Sequence, residues 1–320
     1  MPDHALPKQW DLFLKEFSDR LVAPSQGIPS TRCLSRNTLA SIFSAIKKEK
    51  QLPSTFPSGL KILELLTSMG LATEIPTEKK ESSAPSKEFY LIGLSASHDK
   101  TTDPFEMLQA HKPDGVICYF SAISYYEMST QFPSHHHIAT LTKSPKPSNP
   151  QSPHQVIDSK HEDTQPEASK KIGTLSFSYQ GVPFYTTKRN SNTIPGIKTR
   201  ILNPRTTIKI TSKEQTLLDT LSYPIHCGGA EVVFEAWENY IDSIDEEALL
   251  DLLNSIKSAS LNRRLGALLD FIGYQPKAEL NRFLENTKKE AETSADQITI
   301  PLLKGHAFQR INPSWNIFIP

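Results

Sequence analysis

Cysteine is scarce in this chain of 320 residues. Cys33, Cys118 and Cys227 are odd in number and far apart, which excludes a disulfide framework and any CxxC zinc pattern. Buried, reduced thiols are expected instead. Glycine is also sparse: 13 glycines against 24 prolines predict several stiff connecting stretches. Net charge is lacking, with 35 basic and 35 acidic residues. No whole-molecule field draws in a nucleic acid, so any DNA contact must come from a local patch of phosphate-neutralising side chains. No apolar run approaches the ~20 residues of a membrane span. Met1 to Trp10 has no basic segment leading into an apolar core, so no signal peptide is expected and the expected location is the cytoplasm. The length suffices for two domains of ordinary size.

Catalytic signatures are missing as well. There is no GxxxxGK[ST] loop, no GxGxxG after a strand, no GxSxG elbow and no HExxH. No catalytic residue, metal or cofactor is therefore expected. Gly228-Gly229 reads as a tight start to a helix rather than an anion cradle. In His135-His136-His137 only His135 and His137 could share a strand face and an ion, and no spaced partner completes a site. The ordinary reading is a solvent-facing start of a strand. Asp114 and Lys209 match two parts of a nuclease-type Asp…Glu-x-Lys set, but no carboxylate stands beside Lys209.

Three helical patterns open the chain. Trp10, Phe13, Leu14, Phe17 and Leu21 form one apolar stripe, ended by Pro24. Ser35 is an N-cap candidate ahead of Leu39, Ile42, Phe43 and Ile46. After Pro53 and Pro57, a third helix runs from Ser58 to Met69, with Leu60, Leu63, Leu66 and Met69 assigned to its buried side and Gly70 to its left-handed end. Leu71–Ile75 and Glu88–Gly93 then read as two short strands joined by a solvated loop over Thr77–Ser86. Three helices followed by a hairpin are the order of a winged helix-turn-helix, and a generic interaction module has the same order.

The second half mixes both periods. A helix is expected over Phe120–Thr130, then a strand through His137 to Thr142. Residues 143–171 carry almost nothing apolar except Val156 and Ile157 and read as a flexible insertion. Strands follow at Ile172–Tyr179, Val182–Thr187, Ile197–Leu202 and Thr206–Ile210, with Gln180-Gly181 as a tight turn. Capping boxes at Thr211/Glu214 or Ser212/Gln215, and at Ser243/Glu246, start helices. Helices are expected at Ala230–Tyr240, Asp245–Lys257, Leu261–Ile272 and Lys277–Glu292, and strands return at Gln297–Leu302 and Trp315–Ile319. The predicted fold is α+β: a winged helix-turn-helix over residues 1–95, a linker over 96–113, and a mixed α+β domain over 114–320 that holds the flexible insertion.

In a helix-turn-helix the third helix enters the major groove by its first turn. Here that nominates Thr55, Ser58 and Lys61, with Phe56 as turn anchor or thymine-methyl contact. Arg32, Arg36, Lys47, Lys48 and Lys50 are phosphate candidates, as are Lys79, Lys80 and Lys87 of the wing. Glu49, Glu78 and Glu81 dilute the patch. In the second domain Lys188-Arg189 and Arg263-Arg264 nominate a partner surface, because Leu261, Leu265, Leu268 and Leu269 leave at least one arginine of the second pair facing outward.

Four ordered blocks carry a family resemblance. Asp114–Gln131, with its Ser-Ala-Ile-Ser-Tyr-Tyr-Glu-Met-Ser-Thr-Gln helix, resembles the opening of the AbiEi antitoxin domain. Ile210-Thr-Ser-Lys-Glu-Gln-Thr-Leu-Leu-Asp219 is similar to its second signature, with Lys213 and Gln215 where Pro and Arg often stand. Gly228-Gly229 with Glu235-Ala236, and Arg263-Arg264-Leu-Gly266, resemble its later blocks. The resemblance spans about Asp114 to Pro320 and implies a type IV toxin–antitoxin role. The partners it implies are inverted-repeat promoter DNA, which the N-terminal domain represses, and a nucleotidyltransferase-type toxin that the C-terminal domain counteracts. The alternatives are an enzyme (nuclease-like, or a kinase-like modifier of the toxin) and a protein-interaction scaffold. Clustering of Lys213, Glu214 and Asp219 with another carboxylate would favour the enzyme.

Overall fold

The computed structural model describes residues 5–22, 32–79, 82–93, 102–143, 172–293 and 298–320. Its elements are α1 (Ala5–Phe17), β1 (Arg32–Ser35), α2 (Arg36–Glu49), α3 (Gly59–Ser68), β2 (Ala72–Lys79), β3 (Ser82–Ile92), α4 (Pro104–His111), β4 (Val116–Ile117), α5 (Phe120–Tyr125), β5 (His136–Thr142), β6 (Thr174–Tyr179), β7 (Val182–Asn190), β8 (Ile197–Asn203) and β9 (Thr206–Thr211). Then come α6 (Lys213–Ser222), α7 (Ala230–Tyr240), α8 (Glu246–Ile256), α9 (Ala259–Ile272), α10 (Ala278–Thr293), β10 (Ile300–Pro301), β11 (Arg310–Asn312) and β12 (Ile317–Ile319). The fold is α+β. Two units share the chain: one takes Met1–Gly115, Leu175–Phe184 and Thr199–Lys209, the other Val116–Thr174, Tyr185–Lys198 and Ile210–Pro320.

The first unit builds its core from the stripes of α1 and α2. Phe13, Phe17, Leu39, Phe43 and Ile46 are fully buried with Ile62 and Leu66 of α3. Aromatic rings interlock there, with Phe13 and Phe43 centroids 5.8 Å apart. Ser35 caps α2, its hydroxyl accepting from the Thr38 N–H at 3.2 Å. Gly70 takes the left-handed conformation (φ 72°) and lets the Leu71 N–H reach Leu66 O at 2.9 Å, closing α3. The buried side of α3 differs from the expected one: Ile62, Leu63 and Leu66 point inward, whereas Leu60 and Met69 are exposed.

The hairpin is longer than the two short runs predicted. β2 and β3 pair antiparallel from Ala72↔Ile92 to Lys79↔Ser82, with irregularities on either side of Thr77, so most of the tract assigned to a loop is strand. Sequence reasoning missed β1, four residues that pair antiparallel with β3. β6 pairs with the other side of the hairpin at Glu78↔Ser178. The stretch 96–113, expected as a linker, contains α4, whose Met107 and Leu108 are buried. Its Glu106 is buried too, and its carboxylate accepts from the Cys33 N–H at 3.0 Å and the Thr206 hydroxyl at 2.7 Å. Burial raises the Glu106 pKa against the opposing pull of those two bonds. Arg205 donates to Leu21 O at 2.9 Å.

In the second unit β4 pairs antiparallel with β5 and parallel with β9 (Ile117↔Ile210). Gln180 and Gly181, in the segment that belongs to the first unit, both have positive φ, as the predicted tight turn between β6 and β7 requires. α5 is shorter than the helix predicted over Phe120–Thr130, ending at Tyr125. α6 is buried on nearly every side, so its polar groups are satisfied internally. Thr216 donates to Ser212 O at 2.7 Å, and the Trp237 indole donates to the Thr220 hydroxyl at 2.9 Å. Ser212 is the N-cap, accepting from the Gln215 N–H, while the Gln215 side chain turns to Gly196 N and Asp219 instead of completing a box. The cap of α8 is Asp245 rather than the predicted Ser243, whose hydroxyl donates to Tyr240 O. Gly273 ends α9 in the left-handed region, as predicted. The insertion at 143–171 lies outside the described residues, apart from Lys143.

Candidate functional site

Pro53 O accepts from the Phe56 N–H at 2.9 Å and closes the turn before α3. Phe56 is buried, its ring 5.4 Å from Phe13 and 5.8 Å from Trp10, so it packs this turn onto the core and is not available on the surface. Thr55, Ser58 and Lys61 are exposed, as is Arg36 at the first position of α2. Ser58 stands at the N-cap of α3 in an extended conformation, yet its hydroxyl makes no capping bond. Arg32 is half-buried on β1. Of the other phosphate candidates Lys48 is exposed. Lys47 is tied to Phe56 O and Pro57 O, and Lys50 pairs with Glu16 at 2.6 Å. Glu49 pairs with Arg20, which offsets its dilution of the patch. Lys79 and Lys87 fall on β2 and β3, and Lys80 lies outside the described residues.

The basic pairs nominated in the second unit are placed differently from expectation. Lys188 is exposed, but Arg189, Arg263 and Arg264 are all buried and so form no partner surface. Arg263 donates from Nε to Trp315 O at 2.9 Å and from its other nitrogens to Asn316 O and Ile298 O; Arg264 donates to Pro301 O at 3.0 Å. Both clasp the C-terminal strands to α9. Guanidinium donors satisfy backbone carbonyls there that would otherwise be stranded. Gly266 completes the clasp, because a Cβ at that position would overlap the Trp315 ring.

Arg189 lies inside a buried polar cluster. It holds Asp219 through two bonds, Nη1 to Oδ2 at 2.5 Å and Nη2 to Oδ1 at 2.9 Å, and also donates to Thr193 O at 3.1 Å. Its guanidinium lies 5.2 Å from the ring centres of both Tyr119 and Tyr223. Tyr119 carries a positive φ of 59°, a costly conformation for a residue with a Cβ. Around it stand His137, at 5.4 Å between rings, and His226, at 4.9 Å.

The three consecutive histidines are all buried, not solvent-facing, because β5 runs between β7 and β4. His135 Nε2 donates to His226 O at 3.1 Å, and His137 Nε2 donates to Ile172 O at 2.8 Å. Ser121 Oγ accepts from the His137 N–H at 2.8 Å, leaving its own proton for His136 Nδ1 at 3.2 Å. The pattern suits neutral imidazoles. Among the described residues no group of three His, Cys, Asp or Glu side chains is arranged to hold a metal ion. Asp114 and Lys209 do meet at 3.3 Å, as an exposed pair. Lys213 lies over the rings of Tyr126 and Tyr240, while Asp219 is taken by Arg189 and Gln215; the cluster that would favour an enzyme is not formed by these residues.

Burial pushes His136 and His226 down to about 4, and lowers His135 and His137 as well. Folded pKa values below the unfolded value mean that the unfolded chain binds more protons between pH 6.5 and about 4. Stability is therefore full above pH 6.5 and declines as pH falls through that window. At pH 5 the loss from His136 alone is about 2 kcal/mol. Urea midpoints measured from pH 7.5 to 4.5 are expected to fall steeply below 6.5, and to fall less in His136→Asn. A flat profile would contradict neutral, buried imidazoles.

The remaining sequence blocks pack on one another. Glu235 accepts from the Ser129 hydroxyl at 2.5 Å and from the Thr130 N–H and hydroxyl at 2.8 and 2.6 Å, bonds that lower its pKa. Tyr126 OH donates to Thr211 O at 2.7 Å, and Gly228 passes so close to Phe120 that a Cβ would not fit. Beyond the Glu235 clamp, Phe132 stands 94% exposed. No sequence feature singled it out.

The fold is similar to that in the crystal structure of the RV2827C protein from Mycobacterium tuberculosis, with a TM-score of 0.52 and 12% sequence identity over 98% of this chain and 92% of that one. At that identity the likeness concerns the fold alone. No family model and no curated protein matches the chain. Among the described residues no helix is long and apolar enough to cross a membrane.

Proposed function

We propose that the protein is a DNA-binding repressor of the AbiEi antitoxin type, whose first unit uses α1 to α3 and the β2–β3 hairpin as a winged helix-turn-helix. The observation that carries this reading is the entry to α3: exposed Thr55 and Ser58 before the helix and exposed Lys61 in its first turn, with the buried Phe56 anchoring the turn and a Ser58 hydroxyl that makes no capping bond. Exposed Arg36 and Lys48 are suited to phosphates, and no whole-molecule charge is needed if these local contacts neutralise them. The second unit counteracts a nucleotidyltransferase-type toxin in this reading. With Arg189, Arg263 and Arg264 buried, its contact surface is better sought around Phe132 and Lys188.

The test is a fluorescence-anisotropy titration of the full chain against its own upstream DNA and a scrambled duplex at two salt concentrations. Tight, salt-sensitive preference for the upstream sequence is expected. Lys61→Ala combined with Lys79→Ala is expected to weaken promoter binding by at least tenfold while leaving toxin neutralisation intact, each phosphate or base contact being worth about 1 kcal/mol or more. Equal loss of both activities would contradict separate tasks for the two units.

A further inference from the structure

The exposed face of α3 contains one residue that packing does not explain. Leu60 is 55% exposed in the first turn, next to Lys61 and in line with exposed Glu64 and Thr67 one and two turns on. Ile62, Leu63 and Leu66 occupy the opposite, buried side. The aromatic candidate for an apolar base contact, Phe56, is sealed in the core. Leu60 is therefore the apolar group that the first turn of α3 offers to solvent.

In the major groove thymine presents an apolar group, its C5-methyl, and guanine presents the O6 and N7 acceptors that suit an ammonium. Glu64 adds a constraint. A carboxylate in the middle of this face is repelled by phosphates, so on DNA it has to lie opposite an exocyclic base amine such as cytosine N4. Resting on the reading of α3 as the DNA-reading helix, we propose that Leu60 and Lys61 together read a thymine next to a guanine, Leu60 packing on the thymine methyl and Lys61 donating to guanine O6 or N7. Leu60 sets specificity, and Lys61 supplies both specificity and charge.

The full chain is first used to enrich binding sites from random duplexes. In the enriched duplex each thymine is then replaced in turn by deoxyuridine, which removes the methyl and keeps every hydrogen-bonding group. One thymine per half-site, beside a guanine, is expected to show about fourfold weaker binding on this exchange, the worth of one buried carbon group. Leu60→Ala, an exposed substitution whose folding is checked by thermal denaturation, is expected to bind thymine and deoxyuridine duplexes equally. Lys61→Ala is expected to lose the preference for the adjacent guanine. If deoxyuridine has no effect at any position, or Leu60→Ala keeps the wild-type sensitivity, the assignment of Leu60 is overturned while the DNA-reading role of α3 stands. If no duplex is enriched, both fall together.

Discussion

Replacing Arg189 by Met is expected to destabilise the second unit by about 3–5 kcal/mol, read from urea or thermal unfolding. The cost arises less from the lost ion pair than from what is left behind. Asp219 is buried, and without the guanidinium its carboxylate is left with the uncharged Gln215 amide at 2.9 Å. Lysine at position 189 is expected to recover only part of the loss, because one ammonium cannot make the two parallel bonds to Asp219 and the third to Thr193 O. The double variant Arg189→Met with Asp219→Leu removes both charges, and is expected to be more stable than Arg189→Met alone. A single-variant loss below about 1 kcal/mol would mark the pair as solvent-screened and overturn its assignment to the core.

Gly266→Ala is expected to cost about 3 kcal/mol, at the upper end of ordinary overpacking. Three ring atoms of Trp315 lie where the new Cβ would go. The ring has little freedom to yield: it is buried, and its indole N–H donates to Asp270 at 2.6 Å. Arg263 holds its backbone oxygen as well. The added methyl must therefore dislodge the C-terminal strands or distort α9. Trp315 emission should shift to the red as the ring leaves its site, and Gly266→Ala with Trp315→Leu should recover stability relative to Gly266→Ala. Unchanged emission and stability would mean that the ring moves aside at no cost.

Helices α7 to α10 were legible because their runs carry a 3.6-residue repeat and Gly273 marks the end of α9, although the predicted cap of α8 fell two residues early. The Gln180-Gly181 turn was legible for a similar reason, since few dipeptides accept two positive φ angles in succession. The face of α3 was not. Leu60, Leu63, Leu66 and Met69 are spaced by threes, and at about 100° per residue such a series drifts until its ends lie on opposite sides of the helix. Ile62, which breaks the series, is the residue that belongs with Leu63 and Leu66.

At the candidate sites the misses share another cause. Arginine pairs and consecutive histidines read as surface features because water is their usual partner. In this fold the partners of Arg263 and Arg264 are carbonyls some 35 to 53 positions further along the chain. Those of the histidines lie on other segments, at Ser121, His226 and Ile172. Partners that remote leave no mark in local periodicity. The exposure of Leu60 and Phe132, by contrast, is a property of the completed packing and has no local signal at all.

The first unit takes Leu175–Phe184 and Thr199–Lys209 from far along the sequence, and this sets a clock on its biosynthesis. The helical core of residues 13 to 92 can condense early on the ribosome. The Glu106 carboxylate then waits for the Thr206 hydroxyl, and the Leu21 carbonyl waits for Arg205. From Gly115 to Lys209 the ribosome adds a further 94 residues (209 − 115), roughly 5–20 s of translation. In the first part of that interval, until β6 emerges, the nascent unit has an open sheet edge along β2. Slow codons or a stall between these two points would lengthen the life of that edge, so the yield of soluble protein should depend on elongation speed in the middle of the message more than near its start.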